Sequence, residues 1–267
     1  MADLSRLSLN TITVREQWSL AECIEGCARH GIPAIGPWRD KLAEMGVMAA
    51  ARRIRHAGLQ VSGLCRGGMF HLPGAIEDNK RAIEEAAEIG APCLVMVCGG
   101  LPEGSKDLPG ARHRVEDGLA EILPYARAAG VTLALEPLHP MTCADRSVLT
   151  TTAQALAMAQ RLGRGVGLAL DVYHIWWDPE LAGSVARAAG RIAAFHVCDW
   201  LVPTTDLVLD RGMMGDGVID VPGIRSMMEA AGYRGLIEVE IMSARNWWRR
   251  DADEVLSVMK ERFAALA

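Results

Sequence analysis

The sequence predicts a single (β/α)8 TIM barrel, an α/β fold forming one domain over residues 1–267. Three observations lead there. Eight short apolar runs alternate with longer helical patterns from end to end, and such alternation implies a parallel sheet covered by helices. The length of 267 residues suits a barrel, which needs about 250. The first strand candidate continues as LSLNTITV, without glycine, where an open dinucleotide-binding sheet normally carries a glycine-rich phosphate loop.

The strands are expected to begin near Leu7 (LSLN), Ile32 (IPAIG), Val61 (VSGLC), Leu94 (LVMVC), Thr132 (TLALEP), Val166 (VGLALD), Ile192 (IAAFHV) and Leu236 (LIEVEI). Between them lie helical segments such as LAECIEGCARH, NKRAIEEAAEI and RSMMEAA. Gly31, Gly58, Gly130 and the stretch Gly232–Tyr233–Arg234–Gly235 mark helix ends, because glycine accepts the left-handed backbone of a helix C-cap. Asp220 with Pro222, and Asp251, mark helix starts.

Half of the residues are hydrophobic, enough for a sizeable core without staples. The formal net charge of −5 offers no broad attraction for phosphate backbones or anionic lipid, so neither nucleic acid nor membrane is an expected partner. No apolar run reaches the ~18 residues of a membrane span. The start, MADLSRLSLN, lacks the charged and apolar pattern of a secretory leader. Seven cysteines, an odd number without a CxxC pair, read as reduced thiols in a cytoplasmic protein.

Four strands end in a metal-ligating residue. Side chains alternate along a strand, and strand C-termini open into a barrel's active-site mouth. In TLALEP the leucines suit the helix layer, so Glu136 faces inward. The same parity turns Asp171 of VGLALD, His196 of IAAFHV, and Glu238 and Glu240 of LIEVEI inward, with Glu240 nearer the top. Glu136, Asp171, His196 and Glu240 therefore converge. Three carboxylates crowded in a narrow mouth repel one another unless a cation neutralises them. One imidazole with three carboxylates suits one divalent ion, Mn²⁺ first, with Mg²⁺, Co²⁺ or Zn²⁺ as alternatives.

This constellation resembles the sugar phosphate isomerase/epimerase family of xylose isomerase-like barrels. The likeness rests on LALEPLHP, LALDVYH, AAFHVCD, GDGVIDVPG and GYRGLIEVEI. It implies that Glu136, Asp171, His196 and Glu240 bind a single metal and that His174 faces the substrate. It also implies an isomerase or epimerase of a small sugar or keto sugar. A metal chelating a carbonyl and its neighbouring hydroxyl acidifies the hydrogen between them. Glu136 and Glu240 are the candidates to remove and return that proton through a metal-bound enediolate.

Further pocket candidates are Arg211 and Asp216 in the loop DRGMMGDG, Arg66 at the end of the third strand, His139, and Trp38. Arg211 is expected either to grip a distant substrate oxygen from a mobile cover or to form a surface ion pair with Asp210 or Asp216. Trp176 and Trp200 could stack on a sugar or cap the core, and Asp199 reads as a loop cap. Trp247–Trp248 are expected at a subunit contact, the chain forming a dimer or tetramer. A lyase on the same metal centre, a dehydratase or keto-sugar deglycosidase, is the alternative. An abasic-site endonuclease fits less well: strand four ends Cys98–Gly99–Gly100, and Asp210–Arg211 precedes Gly212, where that class needs histidines. A silent sugar-binding barrel is the remaining rival. Thr142 and Val202 stand where ketose 3-epimerases carry an acid and an arginine, so ketohexose epimerisation itself is not implied.

Overall fold

The computed structural model describes residues 4–266. The first residues of MADLSRLSLN, on which the leader expectation partly rests, lie outside the described residues. In chain order the strands are β1 (Leu7–Asn10), β2 (Ala34–Gly36), β3 (Gln60–Val61), β4 (Leu64–Gly68), β5 (Cys93–Val97), β6 (Thr132–Leu135), β7 (Val166–Asp171), β8 (Ile192–Val197), β9 (Asp199–Trp200), β10 (Arg211–Gly212) and β11 (Ile237–Val239). Nine of them form one parallel sheet in the order β3-β2-β1-β11-β8-β7-β6-β5-β4. The short β9 and β10 pair separately and antiparallel.

The third expected strand is two pieces. β3 pairs with β2 and β4 with β5, on either side of Ser62–Gly63. The seam is closed by a parallel bridge between Trp38 and Cys65 and by the Cys65 N–H donating to Pro37 O at 3.0 Å. A nearly closed barrel results, and the expected fold class stands.

The helices are α1 (Leu20–His30), α2 (Arg39–Met45), α3 (Val47–His56), α4 (Ala75–Ile89), α5 (Leu108–Ala129), α6 (Thr152–Leu162), α7 (Val172–Ile175), α8 (Leu181–Arg187), α9 (Val221–Ala230) and α10 (Ala252–Leu266). The reasons are local. Ser19 and Glu22 form a capping box at the start of α1, and Gly31 ends it at φ 65°. Asp220 caps α9 by accepting from the Gly223 N–H.

Strand parity separates two layers. Leu133, Leu135, Leu168, Leu170, Phe195 and Val197 pack outward in the main core, while Ala134, Ala169, Ala194, Cys65, Cys93 and Val95 fill the barrel interior. Small interior residues leave room above them for long polar side chains at the strand ends.

A candidate metal centre at the barrel mouth

Glu136 follows β6 directly, and its N–H is held by Met96 O of β5 at 3.2 Å. Asp171 ends β7 and accepts from the Tyr173 N–H at 2.9 Å, starting α7. His196 pairs in register with Asp171 on one side and Glu238 on the other. Glu240 follows β11, its N–H bonded to Val197 O at 3.1 Å. One ligand atom from each of Glu136, Asp171, His196 and Glu240 lies within 4.8 Å of the others. All four residues are at most 5% exposed.

His196 Nδ1 stands 3.8 Å from Glu136 Oε1 and 3.6 Å from Glu240 Oε2, while Nε2 stands 3.9 Å from Glu238 Oε1. These separations are electrostatic contacts, too long for hydrogen bonds. Both ring nitrogens lack a hydrogen-bond partner among the described residues although fully buried. Below the quartet, Asn10 Nδ2 donates to Glu238 Oε1 (2.5 Å) and Glu240 Oε1 (3.1 Å), and Ser62 Oγ donates to Glu238. Gly36 makes room for this layer: a Cβ there would lie 2.3 Å from Glu238 Oε1.

The charges in contact do not balance. Among the described residues, four buried carboxylates (Glu136, Asp171, Glu238, Glu240) have one guanidinium, Arg211, within ion-pair distance. Burial, then Glu240 and Asp171, push Glu136 up to about 8. Burial opposes charge on His196, yet Glu238, Glu240 and Glu136 raise it to about 10. Burial likewise opposes ionisation of Glu240, but His196 and Arg211 hold it down, at about 2. Without another cation, protons must supply the missing positive charge. Three carboxylate oxygens and an unpaired imidazole nitrogen fit a borderline-hard divalent ion. Glu238 beside the other ring nitrogen suits the carboxylate that commonly orients a ligating histidine.

His174, on α7, is buried; its Nδ1 accepts from the His139 N–H at 3.2 Å and its Nε2 lies 3.8 Å from Asp171 Oδ2. Trp38 and Arg66 line a mouth cavity of about 20 Å³ together with Glu136, His174, Arg211 and Glu240. That volume holds about one water or ion.

Three expectations need correction. Arg211 neither grips from a distance nor pairs at the surface. It is 2% exposed, its Nη1 donates to Asp171 Oδ2 (2.7 Å) and Glu240 Oε2 (3.2 Å), and its guanidinium sits 4.4 Å from the Tyr173 ring centroid. The supposed cover is a tied hairpin: Asp199 accepts from the N–H groups of Gly215, Gly217 and Ile219, the loop cap expected of it. Asp216 turns away from the mouth, accepting from the Met213 N–H and the Trp247 indole, each at 3.0 Å, near Arg262 of α10. Trp247 is consequently 3% exposed within the chain. The His139 ring stacks on Trp200 at 4.9 Å, so its contribution to the mouth is the backbone N–H that holds His174. Trp200 packs against both Tyr173 and Trp176, forming an aromatic cap.

Asn10, Ser62 and Arg146 are not among the residues expected from the sequence, whereas Glu238 lies inward and deeper than Glu240, as strand parity places it. Parity in LSLN already turns Ser8 and Asn10 to the side opposite Leu7 and Leu9, so Asn10 was findable; Arg146, on a long loop, carried no periodic signal.

The sequence matches the model of the xylose isomerase-like TIM barrel over residues 24–262. L-ribulose-5-phosphate 3-epimerase UlaE of Escherichia coli K12 is 25% identical over 224 residues, covering 75% of each chain. The crystal structure of protein SMc04130 from Sinorhizobium meliloti 1021 superposes with a TM-score of 0.97 at 55% identity, covering 99% of both chains. The zinc-bound IOLI protein superposes with a TM-score of 0.84 at 22% identity, covering 98% of this chain and 97% of that one, and shares the fold.

Proposed function

Because the chain belongs to the xylose isomerase-like TIM-barrel family, we propose that it is a divalent-metal-dependent isomerase or epimerase of a small sugar or keto sugar. The observation that carries this reading is the buried quartet Glu136, Asp171, His196 and Glu240, with its ligand atoms within 4.8 Å and its excess of negative charge. The sequence likeness to a sugar-phosphate epimerase supports it.

Glu136, Asp171, His196 and Glu240 are the residues that would hold the ion. When bound, it supplies Lewis acidity that lowers the pKa of hydrogen next to a carbonyl. Mn²⁺ is the first candidate, with Mg²⁺, Co²⁺ and Zn²⁺ as alternatives; the IOLI protein is a zinc-bound barrel. Glu136 and Glu240 reach the mouth from strands on different sides of the barrel, β6 and β11. One takes a proton from the substrate carbon and the other returns it from the opposite side. Asn10, donating to Glu240, and Glu238, beneath His196, hold these groups in place. His174 and Trp38 bear on the substrate from the rim.

The test is incubation of the Mn²⁺-loaded protein with ketoses, keto-glycosides and inososes in D₂O. Gain of deuterium mass without a change of formula is the expected result. Loss of water or aglycone would assign the same centre to a lyase, and absence of both changes would contradict the proposal.

A further inference from the structure

Arg66 of β4 and Arg146 of the loop after β6 line the same cavity as Glu136, His174 and Glu240. Neither side chain has an ion pair or hydrogen bond among the described residues. The neighbouring arginines do: Arg15 pairs with Asp40, Arg39 with Asp78 and Glu85, and Arg211 with Asp171. Arg146 is close enough to disfavour the charge on Arg66. Burial first, and then Arg146, lower the Arg66 pKa; Glu136, pulling the other way, belongs to the quartet.

Both arginines are held there by the backbone. The register of β4 against β5 shifts between Cys65 and Gly67, which makes Arg66 the extra residue of a bulge, and bulges re-aim side chains beside active sites. The Arg146 carbonyl accepts from the Gly99 N–H at 2.9 Å, and Ser147 bridges to Gly99. A Cβ on Gly100 would lie 2.2 Å from Ala144 O, so glycine lets the two loops close on each other. Trp38 adds a buried indole N–H without a partner among the described residues. A groove of about 380 Å³, sharing Trp38, Cys65 and Arg66, adjoins the cavity, a size that small-molecule sites commonly have.

We infer that Arg66 and Arg146 form an anion subsite, so that the substrate worked on at Glu136 and Glu240 carries a carboxylate or phosphate at the end remote from its reacting carbon. This rests on the isomerase reading of the mouth. Two unpaired guanidiniums in a half-buried cleft repel each other, and hydroxyls can accept their hydrogen bonds without cancelling the charge. A carboxylate or phosphate does both, and it matches the planar fork of donors.

Two arms test the inference on metal-loaded protein. In the first, inorganic phosphate is titrated calorimetrically into wild type, Arg66→Met, Arg146→Met and Arg66→Lys. Wild type should bind, each methionine variant should bind about tenfold to a hundredfold more weakly, and lysine should recover part. No binding, or equal binding by all four, overturns the subsite, since phosphate held by the metal alone would ignore these changes. In the second arm, kcat/KM is compared for ribulose 5-phosphate, a keto-uronate and uncharged ribulose. Preference for the first or second identifies phosphate or carboxylate, and each methionine variant should shrink that preference. Equal or reversed preference overturns the inference. Turnover of none of the three counts against the isomerase reading, while the phosphate arm still decides the subsite.

Discussion

Arg211 Nη1 lies 2.7 Å from Asp171 Oδ2, with both side chains at most 3% exposed. The contact fastens the hairpin of β9 and β10 to the end of β7 and places a fixed positive charge among the quartet's carboxylates. Removing it should leave buried negative charge without compensation. Arg211→Met should therefore destabilise chelator-treated protein by about 3–5 kcal/mol. Metal-loaded protein should lose less, because an ion that binds the folded state offsets the repulsion. Denaturant unfolding with and without chelator measures both. Equal losses in the two states would mean that Arg211 and the ion do not share a site.

Elemental analysis of protein purified without chelator should find about one divalent ion per chain, as expected for one set of four ligands. His196→Ala and Asp171→Asn should largely abolish it. Two or three tightly held ions would point to a different centre.

Glu238 stands 3.9 Å from His196 Nε2 and takes hydrogen bonds from Asn10 and Ser62. Glu238→Gln keeps its shape but removes the charge that orients the imidazole. Metal affinity should fall by about tenfold to a hundredfold, read by competition with a fluorescent chelator. Unchanged affinity would reduce Glu238 to packing.

Asp216 contacts Trp247 and Arg262 instead of the mouth. Asp216→Asn should leave kcat/KM within about threefold of wild type, with a modest change in thermal stability. A loss of two orders of magnitude would restore it as a substrate contact.

Fold and quartet were legible for one reason: strand parity. Leu133 and Leu135 turn outward, which turns Glu136 inward; the same count places Asp171, His196 and Glu240. The break at Ser62–Gly63 was not legible, because VSGLC carries the apolar run of a continuous strand and the break answers to pairing with β2 and β5. Loop residues escaped for a related reason. Arg211 and Asp216 are five apart in one loop, and tertiary ties decide that Arg211 contacts the quartet while Asp216 faces Trp247 and α10.

In the proposed function, Glu240 exchanges a proton with the substrate carbon. The most direct measurement is wash-in of solvent deuterium at that carbon by Mn²⁺-loaded wild type and Glu240→Gln, with metal content determined in both. Glutamine keeps an oxygen for the ion but accepts no proton at neutral pH. The variant should retain metal at reduced affinity while exchange and turnover fall together by about 10²–10⁴. Exchange and turnover at the wild-type rate in metal-loaded Glu240→Gln would contradict it.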